Sequence, residues 1–206
     1  IKKINNMNNK KFTIVESKAV VIPLDNIDTD QIIPARFLKT TSREGFGEKL
    51  FYDWRYNASG EAVKEFILNT PDGAGKILVA GRNFGCGSSR EHAAWAVADY
   101  GFRAVVSSSF ADIFRSNALN NGLLPVQVSE NFLKTIIDLS KSKSDITLKI
   151  DLMKKEITNQ ENGDSEKFEI NSYKQECLIN GYDDIDYLLS NVKEIEEYEL
   201  YKASSL

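Results

Sequence analysis

The segment GRNFGCGSSREHAAW, residues 81–95, brings together several side chains that could do chemistry. Two adjacent serines, Ser88 and Ser89, precede Arg90, and His92 is the only histidine. Hydroxyl groups donate hydrogen bonds, and an arginine guanidinium can hold a carboxylate through two parallel hydrogen bonds. The pattern therefore predicts a clamp for a carboxylate or phosphate, with a hydroxyl at its centre.

A strand, a glycine-rich turn and a helix are expected to position these side chains. Residues 77–81 have the composition of a buried strand, and the apolar spacing from Ser88 to Gly101 predicts a helix. Gly85 and Gly87 allow positive φ and a close approach of the backbone to a ligand. The first turn of a helix adds unpaired N–H groups and the positive end of the helix dipole. The arrangement predicts an anion site.

Several interpretations of the turn stay open. The spacing lacks the third glycine of a dinucleotide motif, the Gly-Lys-Ser/Thr of a P-loop and the flanked serine of a nucleophile elbow. Ser88 could simply cap a helix. Cys86 is either a thiol activated by the helix N-terminus or, as we expect, a small residue that fills a tight turn. His92 could pair with Ser88 four residues earlier, although we expect a structural hydrogen bond instead.

The surrounding pattern predicts the fold class. Predicted strands at 103–109 and 124–128 alternate with helices, the second at 110–123, so residues 77–128 follow a β-α-β-α-β order. This order predicts an α/β fold with a mostly parallel central sheet flanked by helices. The other predicted elements are strands at 12–15, 18–22, 145–157 and 167–170, a helix at 129–140, and a pair of helices within 171–203.

Composition limits the function classes. The 206 residues include 26 basic and 30 acidic ones, a net charge of −4, and no basic face suggests nucleic acid. No apolar run approaches the roughly 20 residues of a membrane span, so we expect a soluble, cytoplasmic protein. Cys86, Cys177 and a single histidine cannot ligate an iron–sulfur cluster or a four-ligand zinc. We expect residues 1–6 to be a non-native or disordered extension before Met7, and residues 7–206 to form one domain.

An upstream loop, residues 23–38, is rich in Pro, Asp and Asn and contains Asp28, Thr29 and Asp30. An Asp-x-Asp pair can ligate a metal, but no third ligand lies nearby in the sequence. We expect these side chains to order the loop through hydrogen bonds to the backbone, with Asp30 orienting Arg90 or a residue of a partner.

Two motifs together resemble one family. NFGCGSSREHAAWA and, about fifty residues upstream, DNIDTDQIIPARFL closely resemble the bacterial small subunits of 3-isopropylmalate dehydratase, relatives of the aconitase swivelling domain. The resemblance continues through FADIFRSNALNNGLLPV to the tail and covers residues 7–202. Ala94 stands where many relatives have proline, which a helix interior accepts readily.

The resemblance implies a fold and an activity. The fold is a swivelling β/β/α domain. The activity is that of a hydro-lyase that interconverts 2-isopropylmalate and 3-isopropylmalate in leucine biosynthesis by loss and re-addition of water. The resemblance also implies a large-subunit partner, in a heterodimer or heterotetramer, that carries a [4Fe–4S] cluster. This chain would itself bind no cofactor and would be active only with that partner.

The resemblance also implies roles for single residues. Ser88 corresponds to the catalytic base, and Ser89 and Arg90 would hold a substrate carboxylate beside Gly87. Supporting positions are Asp28, Thr29, Asp30, Gly85, Cys86 and His92.

The upstream loop would recognise the part of the substrate that distinguishes isopropylmalate from citrate-like acids. Four residues of the segment 33–38 could form an apolar wall for the isopropyl group: Ile33, Pro34, Phe37 and Leu38. Three cations are candidates for the second carboxylate: Arg36, Lys39 and Arg43.

Other functions stay open. The chain could serve a homologous hydro-lyase, acting on homoaconitate or on methylmalate and citraconate, because a few methylenes change binding only modestly. It could also be a carboxylate-binding module without catalytic activity. The acidic charge disfavours an RNA-binding role.

Overall fold

The computed structural model of the protein describes residues 11–39, 45–143 and 145–204. The expected N-terminal extension, Met7 and Arg43 lie outside the described residues. One mixed sheet has the strand order β4-β3-β2-β1-β5-β6-β7. The strands are β1 (Ile14–Ile22), β2 (Ile77–Ala80), β3 (Ala104–Ser107), β4 (Leu124–Gln127), β5 (Thr147–Asp151), β6 (Glu156–Asn159) and β7 (Ser165–Lys167).

Helices and short turns connect these strands. The α-helices are α1 (Thr29–Ile32), α2 (Tyr52–Arg55), α3 (Glu91–Tyr100), α4 (Asp112–Asn120), α5 (Glu130–Ser140), α6 (Ser172–Asn180), α7 (Asp184–Ser190) and α8 (Val192–Ser204). Short 3₁₀ helices span Ala35–Phe37, Gly47–Lys49, Ile67–Asn69 and Pro71–Gly73. Among the described residues, no helix is both long enough and apolar enough to cross a bilayer.

Strands β1 to β4 form the parallel part of the sheet, and α3 and α4 connect β2 to β3 and β3 to β4. Every residue of β2 and β3 is buried, as expected for parallel strands covered on both faces. Alternate residues of each strand point to opposite faces of the sheet, and each face has its own buried hydrophobic cluster. Leu78 and Val105 belong to one cluster, and Val79 and Val106 belong to the other. The predicted α/β fold and its β-α-β-α-β segment are confirmed.

Strands β5 to β7 extend the sheet as an antiparallel meander beside β1. The prediction of one strand at 145–157 is wrong, because the chain turns back between β5 and β6. Asp151 Oδ1 accepts a hydrogen bond from Lys154 N (2.9 Å), and Lys155 adopts a positive φ of 52°. This turn contains neither glycine nor proline, the residues that mark turns most clearly in a sequence.

Other element boundaries also differ from prediction, and the strand expected at 167–170 is β7, Ser165–Lys167. The two strands expected at 12–15 and 18–22 are a single strand, β1. The tail holds three helices, because Gly181 ends α6 in the left-handed conformation and Asn191 ends α7. The helix expected from Ser88 begins at Glu91, with Arg90 as an extended N-cap residue.

Candidate active site

Two loops that leave neighbouring parallel strands form the candidate site. One follows the carboxyl end of β1 and the other follows that of β2, the edge at which α/β sheets bind ligands. Four backbone hydrogen bonds join the loops: Gly81 N to Leu24 O (3.0 Å), Asn26 N to Arg82 O (2.8 Å), Gly85 N to Ile27 O (2.8 Å) and Thr29 N to Cys86 O (2.9 Å). The loops therefore continue the β1–β2 pairing beyond the regular strands.

Gly85 allows this turn to pack directly on helix α4. Its φ is +76°, and a Cβ placed on it would lie 2.3 Å from Phe114 Cγ. Gly87 also has a positive φ, +90°, but a Cβ there would meet its nearest atoms only at 3.5 Å. Gly85 is thus required both by its backbone angle and by space, whereas Gly87 is required by its angle alone.

Ser88 is exposed and is held through its backbone. Its carbonyl accepts a hydrogen bond from Thr29 Oγ1 (3.0 Å), and Thr29 is only 2% exposed. None of the described residues accepts a hydrogen bond from the backbone N–H groups of Gly87, Ser88 or Ser89. The turn therefore presents free donors and a hydroxyl at one place, which suits an anionic ligand.

Arg90 lies beside these donors, and 84% of its side chain is shielded, since 16% is exposed. Nη1 forms an ion pair with Asp30 Oδ1, yet this buried nitrogen makes no well-aligned hydrogen bond to any described residue. Asp28 caps α1 by accepting a hydrogen bond from Gln31 N (2.7 Å). The structure thus contains both arrangements expected of the upstream loop, the side-chain hydrogen bond to the backbone and the pairing of Asp30 with Arg90.

Two side-chain interpretations change with the helix boundary. Ser88 precedes α3, so it does not share a helix face with His92, and the helical basis for a Ser–His dyad is wrong. The His92 ring instead packs against Phe46 and Trp95, with centroids 5.4 and 4.5 Å away. These ring contacts hold the imidazole by packing, and no described residue makes the expected structural hydrogen bond with it.

Cys86 has the environment of a structural residue. Its thiol donates to the carbonyl of Asn26 (3.3 Å). Burial raises the pKa of this thiol, and the nearby Asp28 carboxylate raises it further. A raised pKa lowers the thiolate fraction, so the structure supports the expected packing role and not a reactive thiol.

A pocket of about 230 Å³ opens at the turn, and we call it the serine pocket. On one side it is lined by Thr29, Gly85, Gly87, Ser88 and Arg90, and on the other by residues 111–114, which begin α4. Ser89 is exposed next to it. A larger cavity of about 390 Å³ lies at the opposite, amino-terminal edge of the parallel strands and contains none of the predicted site residues.

The apolar wall expected upstream does not lie in the serine pocket. Ile33 is fully buried in the hydrophobic core, and Pro34 is also buried. Phe37 and Leu38 are half-buried and pack on the outside of that core. Ile33 and Pro34 therefore support the loop from beneath, and contact of Phe37 and Leu38 with a substrate stays a prediction.

The cations expected to bind the second carboxylate are not gathered at the serine pocket either. Arg36 already holds Asp53 through both guanidinium nitrogens, with Nη1 3.0 Å from Oδ2, and this contact lowers the pKa of the Asp53 carboxyl. Lys39 is exposed. Arg43 lies outside the described residues, so the identity of the second cation stays a prediction.

The first turn of α4 is the part of the site that the sequence did not reveal. Asp112, Ile113 and Phe114 line the serine pocket, although the segment was predicted only as a helix. The available signal was positional: this helix follows β3, which ends at the same edge of the sheet as β1 and β2.

Comparison with known proteins supports the resemblance found in the sequence. A family model for the aconitase C-terminal domain matches residues 9–131. The chain is 58% identical over 190 residues to the 3-isopropylmalate dehydratase small subunit of Cytophaga hutchinsonii, covering 92% of this chain and 94% of that one. It is 55% identical over 191 residues to the small subunit of Christiangramia forsetii, covering 92% and 93%.

A solved structure shows the same fold. The crystal structure of 3-isopropylmalate dehydratase from Methanocaldococcus jannaschii matches with a TM-score of 0.64 at 32% identity, covering 90% of this chain and 99% of that chain. For the curated relatives, the words "small subunit" imply a large-subunit partner. Sequence identity above one half along almost the whole length, together with this fold, shows that the chain belongs to the family of 3-isopropylmalate dehydratase small subunits.

Proposed function

We propose that this chain, in complex with a large subunit, interconverts 2-isopropylmalate and 3-isopropylmalate in leucine biosynthesis by removing water and adding it back. Family membership supports the reaction. One observation in the structure carries the proposal: the exposed Ser88 lies in a turn whose N–H groups have no acceptor among the described residues, and Arg90 lines the same pocket.

Ser88 is the base in this proposal. Its Oγ, as an alkoxide, takes a proton from the carbon beside a carboxylate while hydroxide leaves the neighbouring carbon, which yields an unsaturated dicarboxylate. When water adds in the opposite orientation, Oγ–H returns a proton to the other carbon. A serine hydroxyl ionises far above neutral pH, so the alkoxide needs preorganised donors and positive charge. The free N–H groups of Gly87 and Ser89 and the charge of Arg90 can supply both.

Arg90 and Ser89 bind one carboxylate of the substrate in this scheme. The guanidinium is positioned by Asp30 and retains a buried nitrogen without a well-aligned hydrogen bond. Because Nη1 is buried and already paired with Asp30, the remaining guanidinium N–H groups would meet an incoming carboxylate, through charge-assisted hydrogen bonds. The same contact would orient the carbon–hydrogen bond toward Ser88.

The large subunit is proposed to cover the mouth of the serine pocket, where Ser88 and Ser89 are exposed. The Lewis acid for the departing hydroxyl would come from a [4Fe–4S] cluster held by that partner. This chain has two cysteines, too few for the four thiolates of such a cluster, and its described residues contain no group of three His, Cys, Asp or Glu side chains suited to a metal ion. We place the heterodimer or heterotetramer in the cytoplasm, since free thiols fit a reducing compartment.

Turnover in the reconstituted complex tests the proposal. Under anaerobic conditions, the chain is assayed alone and with the cluster-bearing large subunit of the same organism, following absorbance of the unsaturated intermediate. We expect activity on 2-isopropylmalate only in the mixture. Ser88→Ala should remove most turnover, by at least about 100-fold for a lost general base, while complex formation is retained. Ser59→Ala, which changes an exposed serine in a distant loop, is the matched control and should be fully active.

Each alternative gives a different result. Activity on methylmalate or a homoaconitate-type acid instead of 2-isopropylmalate would keep the mechanism and change the substrate. Binding of dicarboxylates without turnover, in a complex whose cluster is intact, would make the turn a carboxylate-binding site only. Full activity of the Ser88→Ala complex would reject Ser88 as the base.

A further inference from the structure

The side of the serine pocket formed by the start of α4 includes one well-exposed apolar side chain. Ile113, the second residue of α4, is 51% exposed and lines the pocket together with Ser88 and Arg90. Its neighbour Asp112 is exposed and also lines the pocket. Ile113 thus contributes a branched alkyl side chain to a pocket whose other exposed groups are polar or charged.

The position of Ile113 relative to Ser88 is fixed by rigid contacts. The adjacent Phe114 is buried and packs against Gly85 so closely that a Cβ on the glycine would have no room. Just before α4, Ala111 N donates to Phe84 O (3.1 Å), and Phe84 N donates to Ser109 O (3.1 Å). The start of α4 and the glycine turn therefore form one packed unit, and Ile113 cannot move far from the serine hydroxyl.

Exposure alone would not single out this residue. Ile14 and Leu24 are exposed to a similar degree, 52% and 49%, and lone apolar side chains are normal on protein surfaces. Ile14, however, lines the cavity at the opposite edge of the sheet. What distinguishes Ile113 is that it shares a pocket with the hydroxyl and the guanidinium.

A substrate that carries a branched alkyl group gains affinity from an apolar side chain in its binding pocket. On the proposed function, the ligand is a dicarboxylate with one branched alkyl group, and Ser89 and Arg90 hold a carboxylate. Of the upstream side chains expected to contact the alkyl group, Ile33 and Pro34 are buried elsewhere, and the half-buried Phe37 and Leu38 do not line this pocket. We infer that Ile113 contacts the isopropyl group of the substrate and sets the size of the alkyl group that the enzyme prefers. This inference rests on the proposed function and deepens it.

Substrate discrimination in the reconstituted complex tests the inference. kcat/KM is measured for 2-isopropylmalate and for a methyl-bearing 2-hydroxy dicarboxylate, with wild type, Ile113→Ala and Ile14→Ala. We expect Ile113→Ala to lower kcat/KM for 2-isopropylmalate by about 10-fold or more, because a pocket that loses such an apolar contact loses affinity in this range. The kcat/KM for the methyl-bearing acid should stay within about twofold of the wild-type value. Ile14→Ala should leave both values unchanged.

A second readout separates the inference from a role in assembly. The affinity of Ile113→Ala for the large subunit should equal that of wild type. An equal fall for both acids, no fall for either, or a fall that follows weakened subunit association would overturn the inference while the proposed function stands. A wild-type complex that is inactive on 2-isopropylmalate, with its cluster intact, would overturn the proposed function and the inference with it.

Discussion

At the scale of single residues, some polar groups of the site are fixed by neighbouring side chains, and others have no described partner and can bind a ligand. Asp30 holds Arg90, and Thr29 holds the carbonyl of Ser88. The Ser88 hydroxyl lies exposed at the pocket, and the N–H of Ser89 has no acceptor among the described residues. The fixed contacts position the turn and the guanidinium before a ligand binds, while the hydroxyl and the N–H groups stay available to contact it.

Arg90→Lys should weaken substrate binding even though the positive charge is kept. A lysine ammonium cannot make two parallel hydrogen bonds to a carboxylate, and one charge-assisted bond is worth about 1.5–3 kcal/mol, so kcat/KM should fall about 10- to 100-fold. Steady-state kinetics of the complex measures this effect. The matched control is Arg82→Lys, because Arg82 also pairs with an aspartate, Asp25 (3.1 Å), on the same loops but does not line the serine pocket. Unchanged kinetics for Arg90→Lys would refute the clamp.

The sequence predicted the polar residues of the site better than the apolar residues that surround them. Ser88 and Arg90 do lie at one pocket, and Asp30 does pair with Arg90. Ile33, which the sequence places at the substrate, lies in the core, whereas Ile113, which no sequence motif marks, lines the pocket. An isoleucine suits a pocket wall and a core equally well, so only the three-dimensional structure distinguishes the two positions.

At the scale of elements, the glycine turn and the start of α4 form the rigid part of the site. The four backbone hydrogen bonds fix one side of the turn, and the ring of Phe114 fixes the other. Gly85 lies at the contact between them. Because of this close packing, a side chain is excluded at Gly85 by lack of space, whereas at Gly87 only the backbone angle disfavours one.

Gly85→Ala should destabilise the protein more than Gly87→Ala. Both substitutions put a Cβ on a backbone with positive φ, which costs about 1–2 kcal/mol. Gly85→Ala adds a clash with a buried ring, worth roughly a further 1–3 kcal/mol, whereas Gly87→Ala has room for its Cβ. Urea unfolding followed by circular dichroism gives both free energies. Equal losses of stability would show that the contact with Phe114 relaxes without cost.

Elements with strong apolar patterns were predicted well, and their ends were not. Buried strands such as β2 and β3 are recognisable because every residue is apolar or small. The start of α3 was placed three residues early, since Ser88 is a good cap but the tertiary contacts of Thr29 hold it outside the helix. The β5–β6 turn was missed because lysine residues form it.

At the scale of the whole molecule, β1 joins the parallel and antiparallel parts of the sheet. Lys18, on this strand, forms ion pairs with Asp72 and with Asp145, each at 2.6 Å. Asp72 lies just before β2 and Asp145 just before β5. One side chain therefore ties the two neighbours of β1 together.

Lys18→Met should lower the melting temperature slightly at pH 7, and the difference from wild type should shrink in acid. The hydrogen bond from Lys18 lowers the pKa of the Asp145 carboxyl below its ordinary 3.8. A lowered folded pKa stabilises the protein above pH 3.8, and this contribution is lost as the pH falls through the folded value. Thermal melts at pH 7, 5 and 3 measure the trend, with Lys64→Met, an exposed lysine, as control. A difference that is as large at pH 3 as at pH 7 would argue for packing by the Lys18 stem instead.

The central place of β1 also has a consequence for the order in which the protein is made. Of the strands in the described residues, β1 is synthesised before the others; β2 can pair with one of its edges only after residue 80, and the other edge waits for β5, which ends at Asp151. An unpaired strand edge is a template for wrong pairing with other chains. While residues up to 151 are being synthesised, the edge of β1 that later pairs with β5 has no partner strand. β1, which aligns the two site loops in the folded protein, can therefore pair wrongly before the site has formed.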